Sequence, residues 1–113
     1  MSYVTIEVEE KKRKQLLDFY NDFMSKKKSK PQAFNSLDEF KKSAAYHDLP
    51  EEEKGQLKQD EGKNVMVLKF DDADQAIKFI EQAQSKGLFS KEQAKAAISQ
   101  INDQNQSSHR PGM

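Results

Sequence analysis

The chain has 113 residues, 35% of them hydrophobic and 34% charged, against about 45–50% and about 25% in an average domain, so it is the size of one domain with a thin core. Nineteen basic residues balance nineteen acidic ones, leaving no overall field that would draw the chain to nucleic acid or an anionic membrane. Cysteine is absent, which excludes a disulfide framework, thiolate chemistry and cysteine-ligated metals.

Charge is nevertheless uneven. Residues 1–30 hold eight basic against five acidic residues, residues 38–61 four against eight, and residues 62–113 seven against six. No apolar run approaches the ~20 residues of a membrane span. The first residues lack the basic and apolar regions of a secretory signal. A cytoplasmic protein without membrane contact is expected.

In chain order, Val4, Ile6 and Val8 alternate with Tyr3, Thr5 and Glu7, the period of a strand with one buried face, over about 3–8. From about 10 to 27 the period becomes helical, with Leu16, Leu17, Phe19, Tyr20, Phe23 and Met24 at spacings of three and four. At 100° per residue these six spread over about 160°, wider than the ~100° stripe one neighbour requires. Residues 25–35 carry four lysines and Pro31 without apolar periodicity, and predict an exposed loop.

Ser36-Leu37-Asp38-Glu39 matches a capping box, opening a helix to about His47 with Leu37, Phe40 and Ala44 inward; Pro50 forces a break. Asp48-Leu49-Pro50-Glu51 restarts a short, polar helix with Leu57 as its apolar anchor. Residues 64–70 include Val-Met-Val-Leu-Lys-Phe, apolar on both faces, and predict a central strand. Asp72 and Ser90 open two further capped helices. Their stripes are Ala76, Ile77, Phe79, Ile80 and Ala83, stopping at Gly87, and then Ala94, Ala97, Ile98 and Ile101. The expected architecture is therefore α+β: one predominantly helical domain over 1–103, with two strands and four to five helices packed on a small sheet, then a disordered polar tail over 104–113. Two strands alone are marginal, so a dimer or a partner strand is expected to complete the sheet.

Each near-match to a chemical site fails. Neither His47 nor His109 has the context of a serine-type site, a hydroxyl with an oriented carboxylate and a strained glycine turn; His47 fits a helix C-terminus and His109 falls in the expected tail. Asp71, Asp72 and Asp74 lack the glycine and glutamate that a calcium loop places at its sixth and twelfth positions; helix capping accounts for them. Gly55 and Gly62-Lys63-Asn64 resemble a phosphate loop, but six residues separate the glycines where four are required, and the strand follows rather than precedes. Glu51, Glu52 and Glu53 form a solvated run in a helix's first turn. No catalytic, metal or cofactor-binding residue is assigned.

What remains is surface. Lys11, Lys12, Arg13 and Lys14 open the first helix and Lys26, Lys27, Lys28 and Lys30 close it, about 21 Å apart at 1.5 Å per residue. The expected function is a non-enzymatic protein-binding regulator: a small inhibitor, chaperone or adaptor of a larger protein, with Lys12, Phe19, Tyr20, Phe23, Met24, Lys26 and Lys27 as the contact set. The residue usage resembles that of small accessory proteins of bacteria, including regulators of secreted effector enzymes; no motif carries that likeness and it transfers no residue. The expected partner is another protein, with self-association. Nucleic acid along the lysine clusters is the alternative, weighed lower because no stacking aromatics are interleaved with the lysines.

Overall fold

A three-stranded antiparallel sheet runs through the middle of the computed structural model, which describes residues 2–27 and 30–108. Side chains of 2 and 103–108 are outside that description, as are Lys28, His109 and residues 110–113. Of the tail expected over 104–113, only the backbone of the last helix is described.

The elements are β1 (Ser2–Glu7), α1 (Arg13–Ser25), β2 (Ala33–Phe34), α2 (Leu37–Lys41), α3 (Ala44–His47), α4 (Glu51–Leu57), β3 (Val65–Phe70), α5 (Ala73–Ser85) and α6 (Lys91–Ser108). Single 3₁₀ turns precede α1 at Glu10–Lys12 and follow α4 at Lys58–Asp60. The α+β class stands as read from the sequence. Among the described residues, no helix is long and apolar enough to cross a membrane.

The sheet order is β1-β3-β2, with Ser2 opposite Phe70, Glu7 opposite Val65, and Ala33 opposite Leu68. β3 is therefore central, and its side chains alternate between two cores. Met66, Leu68 and Phe70 join Val4 and Ile6 beneath α1, α5 and α6. Val65 and Val67 join Leu37, Phe40 and Leu57 beneath the short helices α2–α4, with Tyr3, Phe34 and Tyr46 packed alongside. The continuous apolar run of β3 is what a strand covered on both faces requires.

Two expectations change here. The sheet has three strands, not two: residues 33–34, read as part of a loop, supply β2. The reason is a side chain rather than a propensity. Tyr20, fully buried on α1, donates its hydroxyl to the Lys69 carbonyl at 2.6 Å and accepts from the Gln32 N–H at 3.0 Å, while Lys69 N–H donates to the Gln32 carbonyl at 3.0 Å. The phenol fastens the approach to β2 onto β3. The helix expected from Leu37 to His47 is also two helices. Ser43 interrupts it, donating to the Phe40 carbonyl at 2.6 Å and accepting from the Tyr46 N–H at 3.3 Å, which ends α2 and caps α3.

The three expected caps are in place, with one refinement. Ser90 and Gln93 exchange both bonds, at 3.1 and 3.0 Å. Ser36 and Asp72 accept from the N–H three residues on, but the reaching-back side chains of Glu39 and Gln75 bind the N–H of Asn35 and Asp71, one residue earlier than a capping box specifies. Gly87 follows α5 at φ +82°, in the left-handed region that its missing Cβ permits.

Burial, above all, raises the Tyr20 phenol above its ordinary 10.0; its hydrogen bonds to Gln32 and Lys69 oppose the rise only in part. The native state disfavours the phenolate, so this contribution is whole below pH 10 and is lost as pH climbs through the raised value. Tyr20→Phe should cost about 1–3 kcal/mol at neutral pH, because it strands buried backbone groups. It should also flatten the alkaline fall in stability. Denaturant titrations at pH 7 and above pH 10 check both; an unchanged alkaline slope would remove Tyr20 as its source.

Candidate functional site

The surface expected to bind a partner, α1, is largely occupied within the chain. Tyr20 and Met24 are 0% and 1% exposed, inside the larger core, and offer nothing to a partner in this fold. Phe19 and Phe23 are half-buried against α5, their ring centroids 5.2 and 5.4 Å from that of Phe79. The breadth of the α1 stripe thus serves the sheet on one side and α5 on the other. Lys86 lies over Phe19 at 5.2 Å and Lys27 over Phe23 at 4.8 Å, shielding their outer faces.

The lysines are partly engaged as well. Lys12 donates to the Gly87 carbonyl at 3.0 Å and pairs with Glu9 at 3.5 Å, tying the start of α1 to the end of α5. Arg13 bonds the Asn35 carbonyl and the Asn64 side chain, and pairs with Glu10 at 3.2 Å. Lys11, Lys14, Lys26 and Lys30 are exposed.

Sheet edges, the other expected surface, are modest. β2 is two residues long, and α6 packs beside β1, with the Gln100 amide reaching Thr5 Oγ1 at 3.2 Å. Thr5 in turn donates to Asp60 at 2.8 Å, so a polar trio, buried at Thr5 and Asp60 and half-buried at Gln100, joins β1, the turn after α4, and α6. It borders a cavity of about 130 Å³ that also touches Glu7, Lys63 and Gln93. Satisfying the buried Asp60 carboxylate explains the trio without a ligand. Asp72 likewise spends its carboxylate capping α5, and Asp71 Oδ2 accepts from Gln75 Nε2 at 3.3 Å, which accounts for the acidic cluster after β3.

A second opening lies on the face of the sheet opposite α1. A cleft of about 580 Å³ is lined by Tyr3, Ala45, Asp48, Leu49, Pro50, Glu53 and Leu57. Pro50 separates α3 from α4: α3 ends at His47, and Pro50, extended at φ −60° and ψ 152°, stands at the N-cap of α4. Tyr3 projects from β1 to the same side, its ring 5.1 Å from Phe40 and its hydroxyl donating to Gln32 at 3.2 Å. Burial first, and the Asp48 carboxylate second, raise its phenol above the ordinary 10.0. Tyr46 of α3, packed against the smaller core, lies beneath Lys54 at 5.5 Å.

Sequence reading missed this cleft because its walls come from three separate segments. The available signals were Tyr3 on the outward set of a strand and the Leu49-Pro50 pair between two polar helices. No known protein family, curated protein or solved structure matches the chain.

Proposed function

We propose that the protein is a protein-binding regulator, an inhibitor or adaptor that acts by engaging a larger protein. The observation that supports this reading is the cleft over the smaller core. It is open and apolar-walled, about 580 Å³ in volume, within the ~300–1,000 Å³ typical of binding pockets. It sits in a layer of helices of four to seven residues whose packing a docked partner would reinforce. The exposed lysines of α1 add a second, electrostatic means of orienting a partner.

The test is capture on the immobilised full chain from nuclease-treated extract of its native cells, repeated with Ala45→Phe, which fills the cleft. A protein retained by the wild type and reduced at least about tenfold by Ala45→Phe supports the reading. Retention of nothing after nuclease treatment, or equal retention by both chains, overturns it. Circular dichroism confirms that the variant is folded.

A further inference from the structure

The cleft's charge pattern specifies what it takes. Ala45, Leu49, Pro50 and Leu57 make its walls apolar, and the two charged side chains of its lining, Asp48 and Glu53, are both carboxylates and both exposed. Among the described residues, no lysine or arginine is in that lining; Lys54 is 3.7 Å from Glu51 and over the Tyr46 ring, and Lys41 is paired with Glu61. Residues 38–61 carry twice as many acids as bases. An acidic guest would bring like charges together here, and a guest with a cation beside its apolar group would meet opposite charge at the rim.

We propose that the cleft docks a partner segment in which an aliphatic or aromatic side chain lies within three residues of a lysine or arginine, the apolar group between Ala45, Leu49 and Leu57 and the cation against Asp48 and Glu53. This rests on the protein-binding reading and names the chemistry of the partner. The Tyr3 hydroxyl on the inner wall supplies a polar contact for the segment's backbone. Arginine suits the site better than lysine, because its planar fork meets a carboxylate with two hydrogen bonds and its hydration is weaker. Two exposed carboxylates contribute selectivity and association rate more than affinity, so binding should weaken with salt.

A displayed random dodecapeptide library is selected on the immobilised full chain and counter-selected on Ala45→Phe. The expected consensus couples an apolar residue to a neighbouring arginine or lysine. Its synthetic peptide, followed by fluorescence anisotropy, should bind about tenfold more weakly to the Asp48→Lys/Glu53→Lys variant. Those positions are exposed, so this variant carries the test should Ala45→Phe fail to fold. An acidic or uncharged consensus, a peptide indifferent to both variants, or no enrichment at all overturns the proposal. So does saturable binding of phenethylammonium with no peptide selected, which would mark a small-amine site. If the library fails while captured protein is still lost on Ala45→Phe, protein binding stands and only the cationic segment falls.

Discussion

Phe79→Ala should cost about 3–5 kcal/mol, the largest loss expected from any single truncation in the larger core. Phe79 is fully buried, and its ring centroid lies 5.2 Å from Phe19, 5.3 Å from Phe70, 5.4 Å from Phe23 and 5.7 Å from Tyr20. These partners come from α1 and β3 while Phe79 belongs to α5, so one ring joins three elements. Edge-on and stacked pairs add about 0.5–1.5 kcal/mol each beyond area burial, and all four are forfeited together. Domains of this size hold about 5–15 kcal/mol in total. The midpoint of thermal unfolding should therefore fall by roughly 10–20 °C, measurable by far-ultraviolet circular dichroism. A loss under about 1 kcal/mol would show that Phe19, Phe23 and Tyr20 close the gap without it.

Phe40→Ala should cost a comparable amount but distribute it differently. Phe40 is equally buried and stands at the centre of the smaller core, with Phe34 at 5.0 Å, Tyr3 at 5.1 Å and Tyr46 at 5.7 Å. The helices it holds, α2 to α4, are four to seven residues long, far below the ~12–15 residues at which an isolated helix is even marginal. They depend on this packing. The expected result is local opening: amide hydrogen exchange accelerates across 37–57 while α1, α5 and α6 keep their protection. The cleft should disappear with them, and any partner that uses it should be lost. Uniform acceleration throughout the chain would instead show that the two cores melt as one cooperative unit.

These two phenylalanines also mark what the sequence could and could not disclose. Phe79 sits in a stripe of period 3.6, and Phe40 one turn after the Ser36 cap, so both were legible as inward residues. The alternation of Val4 and Ile6, the apolar run of β3, the serine and aspartate caps and the stop at Gly87 were legible for the same reason: each is decided within a few residues. β2 was not, since two residues carry no period and its pairing is fixed by a hydroxyl twelve or more positions away, on Tyr20. The division of α2 from α3 depends on whether Ser43 turns its hydroxyl to its own backbone, a choice that composition leaves open. The cleft required Tyr3, Leu49 and Leu57, far apart in the sequence, to line one opening, which no local pattern announces. Tyr20 and Met24, expected at a partner surface, were misplaced because a broad apolar stripe looks the same whether its second neighbour is another chain or α5.

The register has a consequence for the chain during its synthesis. Glu7 pairs with Val65 and Ser2 with Phe70, so the first strand made must wait for the last. At about 5–20 residues per second, the interval between them is on the order of 3–12 s. Throughout it α1 has been made, but Tyr20 has no Lys69 carbonyl to bind and Phe19 no α5 to rest on. Until then the α1 segment, flanked by lysines in the sequence, is without its floor. For those seconds its aromatic residues lack their native cover, and the sheet closes only when β3 arrives.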